Sequence, residues 1–276
     1  MRLILAALLL AVTALPAAAQ QAMQHGGETR HYYLEPPRGA RPAPAIVVLH
    51  GGVTVPSRMR RIAHFTLHEK GWAEIYPVAL GDHWRAASDL GFLRVLIERL
   101  AAEGLIDPTG VHFAGASDGG AMVLRLLCEA PGLAAGAAVV SMTMPEDLDC
   151  AGARPVPLLL VNGTADPVVP FAGGEAAGGR VLPARETAAR LARLNGCGHF
   201  DEIAITDHDP GDGTRVTLHA YRGCTAPLRH YVIEGGGHTW PGNRVSAWVA
   251  RRLGTTSRDI SATFEIEAFF REQSAR

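Results

Sequence analysis

Residues 111–127 read VHFAGASDGGAMVLRLL, and this stretch decides the fold. It opens on a short strand-like run, Val111, His112, Phe113 and Ala114, and turns sharply through Gly115-Ala116-Ser117-Asp118-Gly119. From Gly120 it continues as an apolar helix. Strand, G-x-S-x-G, helix is the pattern of a nucleophile elbow, a strained turn that holds a serine hydroxyl at the end of a strand. Glycines flank the serine because such a turn leaves no room for β-carbons on either side. A helix that starts directly after the serine also points free backbone N–H groups and a partial positive charge at it.

Strands and helices alternate on both sides of the elbow. Residues 45–50 (AIVVLH) form a continuous β-branched run, the mark of a strand buried on both faces, and end in His50-Gly51-Gly52. The pattern predicts a helix over 57–69, a strand over 71–78 and a helix over 88–103, capped by Ser88 and ended by Gly104. Residues 30–35 read as an edge strand, followed by a proline-rich loop to Pro44. Downstream come strands over 137–142 and 156–162 and a helix over 183–195. Two polar strands, 202–206 and 215–221, flank the turn Asp209-Pro210-Gly211-Asp212-Gly213 as a hairpin. A last strand (230–234) and a last helix (259–271) complete the order. This alternation predicts the α/β class, a mainly parallel sheet with helices on both faces.

The first residues read differently. Arg2 precedes an apolar run from Leu3 to Leu15, then Pro16 and Ala17-Ala18-Ala19-Gln20. That is the pattern of a secretory signal cleaved after Ala19, too short for a membrane span. It predicts export, to the periplasm or beyond the cell, with 1–19 removed and 20–276 as a single domain free of the membrane. Charges nearly balance, with 26 Lys+Arg against 27 Asp+Glu, which argues against nucleic acid as a partner. The 12 histidines show no H-x-x-H or H-E-x-x-H spacing, so no metal site is read from them.

Export gives meaning to Cys128, Cys150, Cys197 and Cys224, because disulfides persist in oxidising compartments. Four cysteines allow three connectivities. Proximity favours Cys128–Cys150 and Cys197–Cys224, each closing a loop that contributes roughly 3 kcal/mol. Buried free thiols remain the alternative for the first pair. Turn-like glycines around Cys197 and Cys224 favour the second.

A serine nucleophile needs two partners, which in an elbow-bearing α/β sheet follow as acid and then histidine at strand ends. After the strand ending at Asn162 comes Gly163-Thr164-Ala165-Asp166-Pro167, and after the last strand comes Gly235-Gly236-Gly237-His238. Asp166 and His238 therefore fall where the geometry requires them. His238 would take the Ser117 proton during attack, and Asp166 would fix the His238 tautomer and stabilise the imidazolium. Oxyanion donors are expected from the backbone N–H groups of Asp118 and Gly52. Asp207 and Asp209 are rivals for the acid but lie on the hairpin. His50 reads as a structural hydrogen-bonder behind the oxyanion loop, and the Asp118 side chain as one that caps or orients the elbow. Trp84 and Trp240 are candidates to line the substrate pocket, with simple packing as the alternative.

Several motifs together carry a family resemblance. They are HGG at 50–52, Trp84 followed by SDLGFL at 88–93, IDPTGVHFAGASDGGAM at 106–122, NGTADPVVPF at 162–171, NGCG at 195–198 and EGGGHTWPG at 234–242. This set resembles the secreted polyhydroxybutyrate depolymerase / feruloyl esterase-like family of α/β-hydrolase esterases, over nearly the whole chain after residue 19. The resemblance implies an α/β-hydrolase fold, a Ser117–Asp166–His238 triad and cofactor-free ester hydrolysis, and it supports the Cys197–Cys224 bridge. Feruloyl or acetyl esters, or short polyhydroxyalkanoate oligomers, are the substrates implied. A peptidase or thioesterase could use the same triad, and an inactive binding protein could keep the same fold.

The chain departs from the resemblance in places. The elbow reads S-D-G-G where many relatives have S-N-G-A, which puts a negative side chain beside the nucleophile and disfavours anionic substrates. The loop after His50 (Val53-Thr54-Val55-Pro56) has fewer glycines, and Ser88 stands where aspartate is common. No aromatic-rich polymer-binding module is evident, which points to small or oligomeric esters.

Overall fold

The computed structural model describes residues 20–52, 56–176 and 178–274. The expected signal segment, 1–19, and the loop residues 53–55 lie outside the described residues.

Ten strands form one sheet. The four that carry its centre are β3 (Ala43–Leu49), β5 (Ile106–Ala116), β6 (Gly136–Val140) and β7 (Leu158–Gly163). Their outer neighbours are β4 (Ala73–Pro77) and β12 (Leu228–Glu234), and all six run parallel. Antiparallel strands extend both ends: β2 (Glu28–Glu35) and β1 (Gln20–His25) beyond β4, and β11 (Arg215–Arg222) and β10 (His199–Ala204) beyond β12. The order is β1-β2-β4-β3-β5-β6-β7-β12-β11-β10. A small separate hairpin pairs β8 (Gly174–Ala176) with β9 (Gly179–Val181). This is the mostly parallel α/β-hydrolase arrangement, with helices on both faces.

Alternation along each strand feeds two cores. On β3, Ala45, Val47 and Leu49 face one side, while Ile46 and Val48 face the other. The first side packs against α2 (Ala86–Ala102), α3 (Asp118–Glu129) and α4 (Ala184–Leu194) through Phe92, Leu93, Met122 and Leu191. The second is covered by α1 (Pro56–Ala63) and α6 (Ala262–Ser274) through Met59, Ile266, Phe269 and Phe270. Burial on both faces is why the parallel strands read as unbroken apolar runs.

Some expectations are corrected. Residues 30–35 belong to an interior strand, because 20–25 adds the true edge outside it. The helix expected over 57–69 stops at Ala63, and a 3₁₀ turn follows over Leu67–Lys70. The Glu267 carboxylate on α6 accepts the Thr66 N–H at 2.6 Å and so holds the chain out of helical register. Ser88 does not cap α2, which begins two residues earlier. The N-cap is Arg85, and Asp89 in the first turn, fully buried, accepts the Arg85 N–H at 2.6 Å and pairs with Arg30 Nη2 at 2.5 Å. The Arg30 guanidinium also lies 3.9 Å from the Phe92 ring centre, so this buried charge pair is held from several sides. A further short helix, α5 (Ala247–Leu253), follows the last strand without an apolar run to announce it.

Both cysteine pairs are disulfides, Cys128–Cys150 and Cys197–Cys224. The first ties the end of α3 to the loop before β7. The second ties the end of α4 to the turn between β11 and β12.

Candidate active site

Ser117 sits between β5 and α3 with φ 53° and ψ −123°, outside the regions an L-residue ordinarily occupies. Two backbone bonds hold it there: Ser117 N–H donates to Val140 O at 3.0 Å, and Ala121 N–H donates to Ser117 O at 3.0 Å. Space explains both elbow glycines. A β-carbon on Gly115 would collide with the Gly119 carbonyl at the start of α3, and one on Gly119 would collide with the Leu49 carbonyl at the end of β3. The motif is therefore a packing requirement in which helix, turn and neighbouring strand touch backbone to backbone.

Asp166 and His238 meet at the same edge of the sheet, beyond β7 and β12. His238 Nδ1 and Asp166 Oδ2 are 2.8 Å apart. The other Asp166 oxygen accepts the Val168 and Val169 N–H groups, each at 2.8 Å, so the carboxylate is oriented at both ends. With Nδ1 engaged by a carboxylate, Nδ1 carries the proton and Nε2 is left as the acceptor. The two loops are zipped together: Thr164 N–H donates to Ile233 O and Ala165 N–H to Gly236 O, both at 2.9 Å. Glycine is required here too, since a β-carbon on Gly163 would run into the Gly236 carbonyl. On its far side, His238 N–H donates to Leu253 O at 2.5 Å, where the chain returns from α5.

Ser141 couples the elbow to the histidine loop. It follows β6 with φ 51°, and its hydroxyl donates to Thr239 O at 3.0 Å, one residue beyond His238. Sequence reasoning missed it, and nothing in the local pattern SMTM signals it.

The loop after β3 lies against the elbow. A β-carbon on Gly51 would stand 3.4 Å from Ser117 Cβ. His50 is buried and structural, as expected: its Nε2 accepts the Ala79 N–H at 3.1 Å and its Nδ1 donates to Gly51 O at 2.8 Å. Burial holds its pKa below the ordinary imidazole value, in keeping with a neutral ring. Asp118 does not cap its own helix. Its Oδ2 reaches across to accept the Trp84 N–H at 2.8 Å and lies 3.5 Å from His83 Nδ1.

Trp84 and Trp240 are both buried, and each indole N–H is bonded. Trp84 Nε1–H donates to His50 O at 2.8 Å, and its ring tilts against His50. Trp240 Nε1–H donates to Thr263 Oγ1 at 3.0 Å, and its ring stands edge-on to Phe65. Both are at least nine-tenths buried. The rival acids are engaged elsewhere, Asp207 with Arg215 and Asp209 with Arg258. Among the described residues no cluster of His, Cys, Asp or Glu could hold a metal ion, and no helix is long and apolar enough to cross a membrane.

The chain is 30% identical over 267 residues to the putative esterase NocK of Nocardia uniformis subsp. tsuyamanensis, covering 85% of this chain and 77% of that protein. It is 28% identical over 176 residues to feruloyl esterase B of Piromyces equi, spanning 58% of this chain and 31% of that longer protein. Among solved structures it resembles the acetyl xylan esterase from Aspergillus awamori, with a TM-score of 0.59 at 16% identity over 80% of this chain and 94% of that one. It also resembles Est1E from Butyrivibrio proteoclasticus, with a TM-score of 0.57 at 14% identity over 94% of this chain and 100% of that one. These two structural likenesses speak to the fold alone. No family model matches the chain. Relationship to NocK across most of both chains, on a fold with this strand order, places the chain in the α/β-hydrolase esterase superfamily, with feruloyl esterases among its relatives.

Proposed function

We propose that the chain is an exported serine esterase that hydrolyses carboxylic esters through an acyl-enzyme. Ser117 is the nucleophile, His238 the base and Asp166 the orienting acid. The observation that carries this reading is the 2.8 Å pairing of His238 Nδ1 with a doubly anchored Asp166, at the sheet edge that also presents Ser117 in a strained turn. His238 Nε2 takes the Ser117 proton as Oγ attacks the ester carbonyl. The tetrahedral oxyanion is met by the N–H groups of Asp118 and Gly52, and the proton passes to the leaving alcohol. Water then repeats the sequence on the acyl-serine and releases the acid. No cofactor enters.

Feruloyl or acetyl esters, or short polyhydroxyalkanoate oligomers, are the proposed substrates, on the strength of the motif resemblance and the feruloyl esterase relatives. The protein acts after a signal over 1–19 is removed, as a single domain. The test is turnover by the purified protein of p-nitrophenyl acetate and butyrate, methyl ferulate, a 3-hydroxybutyrate oligomer and a peptide anilide, with Ser117→Ala beside each. Serine-dependent cleavage confined to esters supports the reading. Ester turnover above a tenth of wild type in Ser117→Ala overturns the nucleophile, and anilide cleavage moves the activity to peptides.

A further inference from the structure

We infer that His83 is a positioning residue for the oxyanion hole: it offsets the Asp118 carboxylate and roofs Gly52. The inference rests on Ser117 being the nucleophile and on the donors proposed above.

The elbow presents an electrostatic problem. The Asp118 N–H is a proposed donor to the oxyanion, yet the same residue carries a carboxylate. A negative charge a few atoms from a developing oxyanion opposes the charge that the transition state must build. The Trp84 N–H at 2.8 Å takes part of that charge. His83 Nδ1 lies 3.5 Å from the same Asp118 Oδ2, so the imidazole edge stands against the carboxylate.

The second observation concerns Gly52. A β-carbon there would lie 2.6 Å from His83 Cε1, 2.7 Å from His83 Nδ1 and 3.7 Å from Asp118 Cβ. The Nδ1–Cε1 edge of the imidazole therefore rests directly on the Gly52 backbone. One ring touches both arms of the oxyanion hole, the elbow and the loop after β3. A side chain at residue 52 would displace the ring. The His83 side chain is 57% exposed, so the core does not need it.

A double-mutant cycle with His83→Ala and Asp118→Asn reads the coupling directly, using p-nitrophenyl acetate. His83→Ala lowers kcat by about tenfold, less than the loss of a whole oxyanion donor, with KM within about twofold. In the Asp118→Asn background the same change costs less than about twofold, because there is no charge left to offset. His83→Gln, which places an amide N–H near Asp118, recovers most of the lost kcat. Gly52→Ala reproduces the His83→Ala defect by expelling the ring, and adds little to it in the double variant. Equal cost of His83→Ala in both Asp118 backgrounds, or a change in KM alone, overturns the inference. Ser117→Ala, run alongside, separates the two levels. Turnover that survives in it removes the esterase reading and this inference together, whereas serine-dependent turnover with additive costs removes only the role of His83.

Discussion

The Ser141 hydroxyl donates to the Thr239 carbonyl at 3.0 Å, across 98 residues of chain. Val140, the preceding residue, accepts the Ser117 N–H at 3.0 Å, and Thr239 directly follows His238. The end of β6 thus grips the Ser117 turn with one residue and the His238 loop with the next. It is the structural link that keeps the two in register.

Ser141→Gly tests that link while tolerating the φ of 51°. Loss of the hydroxyl leaves the Thr239 carbonyl without this donor and lets the histidine loop drift. The expected result is a fall in kcat/KM of about tenfold, with a loss of stability of about 1 kcal/mol. Steady-state kinetics and a urea melt check the two effects separately.

Gly115→Ala and Gly119→Ala both drive a methyl group into backbone, against the Gly119 and Leu49 carbonyls respectively. Backbone cannot step aside as a side chain can, so each variant is expected to lose about 3 kcal/mol or more. Activity should fall with it. A thermal melt within a few degrees of wild type would show that the elbow is looser than this packing.

Reduction of the disulfides is expected to lower the melting temperature. Cys197→Ser/Cys224→Ser opens a loop with a sequence separation of 27, and Cys128→Ser/Cys150→Ser one of 22. Each should cost about 2–4 kcal/mol, chiefly by freeing the unfolded chain. Denaturant midpoints of the two double variants, with and without reductant, give the separate contributions.

Stability should also fall on the acid side. Burial pushes His112 down to about 4, and burial, helped by His219 and Arg185, pushes His230 down to about 3. Both rings stay neutral in the fold while the unfolded chain takes up protons near 6.5. Their contribution is therefore full above pH 6.5 and declines as pH falls towards 4 and then 3. By pH 5 each is expected to have cost about 2 kcal/mol. His112 packs between Trp72 and Phe270, so His112→Phe keeps a ring there and removes the titration. Melting temperatures from pH 7 to 4.5 should fall less steeply in that variant.

The elbow was legible because its causes are local. Glycine at 115 and 119, serine between them, and an apolar helix after them are all needed within a few residues, so the pattern carries the physics. That Asp166 and His238 come together was legible for a related reason: a parallel sheet sends successive strand ends to one edge, so order along the chain foretells position in space. The alternation of strands and helices and the hairpin of β10 and β11 followed from the same short-range periodicities.

What the tertiary structure alone decided are the contacts made across the sheet and between loops. That 20–25 pairs outside 28–35, that the Asp89 carboxylate takes the Arg85 N–H at the start of α2, and that Ser141 reaches Thr239 depend on strand register and on burial. Burial of the Trp84 and Trp240 indoles belongs here too, since a sequence does not say which rings the sheet will cover. His83 is the clearest case. It stands 35 positions from Asp118 and 31 from Gly52, in a loop with no pattern of its own, and only the folded chain sets its imidazole against both. Short-range sterics and periodicity are written residue by residue. Long-range charge and contact exist only once the strands have found their neighbours.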